Sequence, residues 1–145
     1  MIMAGDIRVK TDSKYKDIYN EIKGSAMGDM HELFFLCTCI GYKAQKRKKL
    51  TNKDDRFWSR TITPEEYACY YAMVLERNNM DLSTIQDDNK VISEVEEYAN
   101  AGMEILLDEC LSDYLVKSIN ELRLDSTSSE KLPRAILHFI FEQIQ

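Results

Sequence analysis

Apolar side chains recur every three or four residues through most of the chain, which is the spacing of one face of an α-helix. The first such stretch starts near Asp12 or Ser13, either of which can cap a helix, and stops at Gly24. We therefore predict a first helix across these residues. Its apolar positions are Tyr15, Ile18, Tyr19 and Ile22.

The second apolar stretch, Met30–Ile40, differs because it is apolar on nearly all sides. Asp29 and Glu32 have the spacing of a capping box at its start, and Gly41 is placed to be its C-cap. A helix without a polar face must be surrounded by other elements. We expect this helix to be the buried centre of the fold.

A third helix has the strongest start signal in the chain. Thr63 is a good N-cap, Pro64 suits the first helical position, and Glu66 completes a capping box. The apolar spacing continues to about Arg77. We predict a helix between these limits.

The second half of the chain has one long amphipathic stretch, from Lys90 to about Leu111. Gly102 lies on its apolar stripe, where glycine costs about 1 kcal/mol relative to alanine unless a neighbour needs the space. We therefore expect close helix packing there. A further helix over Tyr114–Leu122, a linker over Asp125–Ser129 and a final helix from about Pro133 complete the pattern.

Composition agrees with a helical protein. The chain has 145 residues, is 44% hydrophobic and contains only five Gly and two Pro. A chain of this length fits one domain with a single core. We predict an all-α fold, a single domain over residues 1–145 with five to six helices around a buried central helix.

Charge is strongly segregated along the chain. The segment Lys43–Arg60, called the basic segment below, has eight cations against two carboxylates and a local charge of +6. The remainder has 11 basic and 23 acidic residues, a charge of −12. Segregation of this size indicates a surface that meets an anionic group.

The predicted long helix is the opposite pole. Between Asp87 and Asp113 there are nine acidic residues and one lysine, a charge of −8. This acidic face is either solvated or docked on the basic segment of the same or a neighbouring molecule. Asn100 lies in phase with these acidic residues, and we expect it to be a hydrated surface amide rather than a partner contact.

The basic segment is the candidate binding site. Its cations can contact phosphates, with Arg47, Lys48 and Lys49 as the expected electrostatic centre, and Phe57 or Trp58 can stack on a base. An acidic protein partner, or a solvated loop with Trp58 anchored in the core, are the alternatives. The predicted site residues are Lys43, Lys46, Arg47, Lys48, Lys49, Lys53, Arg56, Trp58 and Arg60.

No motif for catalysis, a cofactor or a metal is recognisable. His31 and His138 lack partners at ligand spacing, and the glycine-rich phosphate loop and nucleophile elbow are absent from the sequence. The four cysteines lie in apolar periodic stretches and are interpreted as reduced core residues. The opening residues lack a signal-peptide pattern, and no apolar run is long enough for a bilayer, so we expect a cytoplasmic protein without membrane contact.

Three short stretches give the chain a family resemblance. They are Arg8–Val9 followed by Ser13–Tyr15; the run Ile40–Tyr42 leading to Arg47, Lys48 and Leu50; and Tyr98–Gly102. With these stretches the chain resembles the dnd system-associated protein 4 family, small accessory proteins encoded beside bacterial DNA phosphorothioation systems. The resemblance implies a defence protein working with DNA-modification or restriction partners, and it supplies no catalytic residues.

Two functions follow from these observations. The first is a non-catalytic accessory protein of an anti-phage DNA-modification system that binds DNA or an anionic partner through the basic segment. The alternative is a protein adaptor or homo-oligomer that docks through the acidic helix and has no affinity for nucleic acid.

Overall fold

A computed structural model describes residues 2–118 and 121–144. Within these residues five α-helices and four β-strands follow one another along the chain. They are β1 (Arg8–Asp12), α1 (Lys16–Ser25), α2 (Met30–Lys43), β2 (Lys53–Trp58), α3 (Pro64–Arg77), α4 (Asp88–Glu109), β3 (Leu115–Ser118), β4 (Glu121–Leu124) and α5 (Leu132–Ile144). Short 3-10 turns connect several of them.

The prediction of an all-α fold is wrong, because the strands form two small antiparallel sheets. In the first sheet β1 pairs with β2, and the register shifts between Val9 and Lys10, which marks a β-bulge. Val9 and Phe57 face the core as a directly opposed pair, whereas Arg8 and Trp58 face outward. This two-stranded sheet is called the ribbon below.

The second sheet replaces a predicted helix. β3 pairs with β4 where the sequence predicted a helix over Tyr114–Leu122. Of that predicted helix, Ile119 and Asn120 lie outside the described residues. Each strand has only four residues, too few to show a period of two clearly against a helical period. The predicted linker is largely a 3-10 turn over Ser126–Lys131.

Helices α2 and α4 form the most extensive contact between elements, and two glycines allow it. A Cβ on Gly102 would lie 1.7 Å from the Cys37 carbonyl oxygen, and one on Gly41 would lie 2.0 Å from the Tyr98 carbonyl oxygen. The expected close packing at Gly102 is confirmed. The prediction of Gly41 as a C-cap is wrong, since α2 continues to Lys43 and buries Gly41 against α4.

The central helix is α4 rather than α2. Twelve residues of α4 are buried, against six of α2. α4 packs on α2 and α3 and supports β1 as well. Phe35 and Leu36 of α2 remain partly exposed. α2 is therefore not buried on all sides, although its sequence is apolar on nearly all sides.

The two predicted capping boxes have different outcomes. Thr63 and Glu66 form the predicted reciprocal pair, in which Thr63 Oγ1 accepts from the Glu66 N–H at 3.2 Å and Glu66 Oε1 accepts from the Thr63 N–H at 3.0 Å. Asp29 does occupy the N-cap of α2, but its side chain makes no capping hydrogen bond. The second box is therefore not formed.

Across the described ranges, no helix combines the length and apolar character needed to cross a bilayer. The cysteines are all free thiols, as expected. Only Cys37 is fully buried, and Cys69 is exposed, so the assignment of all four to the core is wrong.

Candidate anionic-ligand interface

The first half of the basic segment, residues 44–50, lies across the acidic face of α4. The Arg47 guanidinium contacts the Glu97 carboxylate at 3.0 Å and reaches Glu94 at 3.9 Å. It also lies 5.6 Å from the centre of the Tyr98 ring. The charge of Arg47 is thus matched by carboxylates of its own chain.

Lys48 is paired in the same way, about two turns further along α4. Its ammonium pairs with the Glu104 carboxylate, and its backbone N–H donates to the Glu97 carbonyl at 3.1 Å. The hydrogen bond and charge of Glu104 raise the pKa of Lys48, and Lys48 in turn lowers the pKa of Glu104. Both side chains are about half exposed, so this ion pair contributes little stability by itself.

Asn100 fixes the backbone of the same loop. Its side-chain amide donates to the Lys48 carbonyl at 3.1 Å and to the Lys49 carbonyl at 3.3 Å, and the residue is buried. The expectation of a hydrated surface amide is wrong. Asn100 lies on the same helix face as the acidic residues, and nothing in the sequence indicates that a distant loop covers this part of the face.

These contacts decide between the alternatives for the acidic face. Three carboxylates of α4 meet the loop of the same molecule. Intramolecular docking is therefore confirmed, and a wholly solvated acidic face is excluded for these residues. The remaining cations of this half, Lys46 and Lys49, are exposed, and the ammonium of Lys43 at the end of α2 donates to the Gln143 carbonyl.

In the second half of the basic segment, Arg56 points inward. It is the extra residue of the β2 bulge, and its side chain is only 4% exposed. The guanidinium donates to Thr11 Oγ1 at 2.8 Å and to Asp54 at 2.9 Å, and it lies 5.4 Å from the Tyr19 ring centre. Arg56 is thus part of the folded core and is not placed to contact a ligand.

Trp58 has the opposite environment. The residue is 38% exposed, with the Arg8 guanidinium 4.6 Å and the Arg60 guanidinium 4.8 Å from the centre of its ring. The neighbouring Phe57 points into the core, where its ring meets Phe34 at 5.3 Å. The alternation of the strand separates the two aromatic rings, and the interpretation of Trp58 as a core anchor is wrong.

The outward side of the ribbon joins this tryptophan to further cations. Directly opposed residues of antiparallel strands share a face, which places Lys10 beside Asp55 and Lys53 on the same outer side. Asp55 is shared by Lys10 at 2.9 Å and Arg8 at 3.5 Å, and the hydrogen bond from Lys10 lowers its pKa. Asp12, which lies opposite Lys53, is buried and is not part of the exposed surface. This exposed surface is called the ribbon face below and has a net charge of +3. It comprises Arg8, Lys10, Lys53, Asp55, Trp58 and Arg60.

Sequence reasoning found half of the ribbon face. Lys53, Trp58 and Arg60 belong to the basic segment, whereas Arg8 and Lys10 lie on β1, some 45 residues away along the chain. Two basic residues alternating with an apolar one in Arg8–Lys10 were the available signal. Among the described residues, Lys53 and Arg60 have no ion-pair partner.

A buried carboxylate anchors the ribbon to α4. Glu96 accepts a hydrogen bond from the Lys10 backbone N–H at 2.7 Å. Burial raises the pKa of Glu96 to about 7, against smaller lowering effects of this hydrogen bond and of the Lys53 and Lys10 charges. The carboxylate thus occupies the space beneath the ribbon face without being exposed on it.

The sequence predicted no metal site, and one cluster of the described residues bears on this. Ligand atoms of Asp29, His31 and Glu32 lie within 4.8 Å of one another at the start of α2. His31 Nδ1 already contacts the Glu66 carboxylate at 2.9 Å. The His31–Glu66 contact joins α2 to the capping box of α3 and accounts for the histidine structurally.

The chain was compared with known families, proteins and structures. No family model, no curated protein and no solved structure matches this chain.

Proposed function

We propose that the protein is a non-catalytic binding module that engages DNA through the ribbon face, with Trp58 stacking on an unpaired base. The observation that supports this most directly is the exposed Trp58 indole flanked by two guanidiniums. Aromatic rings beside cations are the usual means of holding single-stranded nucleic acid, because a base stacks while its phosphates are neutralised.

The free energies of the two contacts favour replacement of a guanidinium by a base on the Trp58 ring. An exposed cation–π contact contributes about 0.5–1 kcal/mol, whereas stacking of a base on an aromatic side chain contributes about 1–3 kcal/mol. A base can therefore displace Arg8 or Arg60 from the ring at a net gain. The displaced guanidinium then lies next to the nucleotide's own phosphate, where it forms a charge-assisted hydrogen bond.

The net charge of −6 does not prevent this binding. Screening at physiological salt reduces interactions beyond about 8 Å, so the local charge of the ribbon face dominates the approach. Three of the nine carboxylates of the acidic pole, Glu94, Glu97 and Glu104, also contact Arg47 or Lys48 of the same chain. The molecule thus presents a modest basic surface in one orientation.

The resemblance to dnd system-associated protein 4 sets the proposed context. We place the protein in the cytoplasm as an accessory component of a DNA-modification or anti-phage system, acting with protein partners of that complex. A small non-catalytic DNA contact suits such a component, since the partners supply the chemistry.

The test uses the single tryptophan of the chain, which is Trp58. Titration with a short single-stranded DNA should quench its fluorescence as the base stacks. With about three phosphates neutralised, the slope of log affinity against log salt should be near −2, a roughly 20-fold loss between about 50 and 200 mM salt. Use of all eight cations of the basic segment would give a loss of roughly 2,000-fold instead.

Unchanged tryptophan emission together with no salt-dependent retention of DNA would remove the proposal. The alternative, a protein adaptor without nucleic-acid affinity, would then remain.

A further inference from the structure

The outer face of α5 is apolar although it is exposed. In the described part of the chain seven large hydrophobic side chains are exposed, and three of them lie on this helix: Leu137 at 54%, Phe141 at 57% and Ile144 at 74%. Their spacing of four and three residues places them within about 60° of one another around the helix axis. They form one continuous stripe.

The stripe is separate from the face that attaches α5 to the fold. Leu132, Ile136 and Phe139 are buried on the inner side, and the Cys110 thiol donates to the Ala135 carbonyl at 3.4 Å. A helix with one face in the core normally has a polar face toward water. The second apolar face of α5 is therefore unused within the molecule.

We propose that this stripe pairs with the stripe of a second copy of the chain, with the two α5 helices antiparallel about a two-fold axis. Spacings of four and three residues are those of the seam between two packed helices. In this arrangement Leu137 lies beside Phe141 of the second copy, and Phe141 beside Leu137. Leu137 and Phe141 thus each meet an apolar residue, and Ile144 lies at the end of the seam, level with Arg134 of the second copy.

Charge complementarity fixes the direction. Arg134, His138 and Glu142 are exposed along one edge of the stripe, and His138 Nε2 lies 2.7 Å from Glu142 Oε1 within the monomer. Antiparallel pairing sets Arg134 about two residues, or about 3 Å along the axis, from Glu142 of the second copy. Parallel pairing about a two-fold axis would instead place the two charged edges on opposite sides of the seam, where Arg134 and Glu142 could not meet.

The same edge argues against a membrane surface as the occupant. Helices that lie on a bilayer have a polar face rich in lysine and arginine. The polar edge here has one arginine, one histidine and one glutamate. A self-complementary edge of this kind fits a copy of itself.

The dimer is expected to be weak. A helix of 13 residues is about 20 Å long, and one helix pair buries less than the roughly 800 Å² per partner of a standard interface. We therefore expect association in the micromolar range or above. The ribbon face lies on other elements, so this inference is independent of DNA binding.

Sedimentation velocity over micromolar to millimolar concentrations tests the proposal. The wild-type chain should shift from its 16.9 kDa monomer toward twice that mass. Phe141→Glu should remain monomeric throughout. Leu82→Glu removes a similarly exposed apolar residue, 67% exposed, outside α5, and should associate like the wild type.

A charge swap tests the antiparallel direction. Arg134→Glu should weaken association by about tenfold, because two symmetric ion pairs become repulsive. Adding Glu142→Arg on the same chain should restore it. Circular dichroism confirms folding of each variant, and Leu137→Gln replaces Phe141→Glu if the latter unfolds.

A wild-type chain that stays monomeric at the highest concentration would overturn the proposal. Equal association of the wild type and the folded stripe variant would overturn it too. Association without rescue by the charge swap would contradict the antiparallel arrangement.

Discussion

Both halves of the basic segment contain cations, but these cations have different environments. In residues 44–50 the central cations, Arg47 and Lys48, are matched by carboxylates of α4. In β2 and the turn after it, Lys53 and Arg60 have no such partner among the described residues, and Trp58 is exposed between two arginines. A run of charge along the sequence is therefore not equivalent to charge available for a ligand.

The difference arises from what each half is attached to. The loop over residues 44–50 is attached to the acidic face of α4 through its cations. Asn100 of α4 holds the loop backbone in place. The ribbon is held instead by strand pairing and by the Glu96 contact to the Lys10 backbone, and within the described residues none of its outward cations forms an ion pair with α4. Each half can be disturbed separately, and the expected effects differ in size.

The largest effect should come from the helix pair on which both halves depend. In Gly102→Ala the new Cβ would meet the Cys37 carbonyl at 1.7 Å, which forces α2 and α4 apart. We expect a loss of about 3 kcal/mol or more in the free energy of unfolding, measured by urea denaturation. Gly24→Ala is the matched control, because a Cβ there meets nothing within 4 Å and should leave stability unchanged or slightly raised.

The next effect concerns the anchor of the ribbon and depends on pH. Glu96 ionises at about pH 7 in the folded protein but at its ordinary value of 4.5 when unfolded. The folded state therefore holds the extra proton between these values, and stability falls as pH rises from 4.5 to 7. Glu96→Gln retains an acceptor for the Lys10 N–H and removes this penalty.

Glu96→Gln should consequently be more stable than the wild type at about pH 8, by up to roughly 3 kcal/mol. The advantage should disappear below about pH 4.5. Denaturation curves at both pH values measure this, with the exposed Glu109→Gln as the control for loss of one carboxylate. A variant less stable than the wild type at high pH would show that the charged carboxylate stabilises the ribbon.

A smaller effect is expected for the anchor of the loop. Asn100→Ala removes two hydrogen bonds to the carbonyls of Lys48 and Lys49. We expect a cost of about 1–2 kcal/mol and faster amide exchange in residues 46–50. The exposed Asn89→Ala, on the first turn of the same helix, should have little effect. Exchange that is uniform between the two variants would contradict the role of Asn100.

The helices were predictable because their signals are local. Helix α3 was predicted from its capping box and proline to within a residue, and α4 from its apolar stripe to within two residues. The strands were not, because β1 and β2 are brief and pair across about 45 residues. Neither strand has a neighbouring hairpin turn to reveal its partner.

The sequence predicted where along the chain the candidate site lies, but not which of its side chains are exposed to a ligand. Alternation in β2 explains why Phe57 is buried and Trp58 exposed, yet the bulge that turns Arg56 inward cannot be inferred from the sequence. The partners of Arg47 and Lys48 lie some 50 residues away. Charge patterning predicted two poles, and only the fold shows that they meet.

The most direct test compares DNA affinity after equal losses of charge on the ribbon face and in the loop over residues 44–50. Arg8→Gln/Arg60→Gln and Arg47→Gln/Lys48→Gln each remove two cations, and Trp58 fluorescence reports binding in both. We predict roughly tenfold weaker binding for the first variant and no more than about threefold for the second, since its cations are already matched by Glu97 and Glu104. The reverse order would contradict the assignment of the interface to the ribbon face.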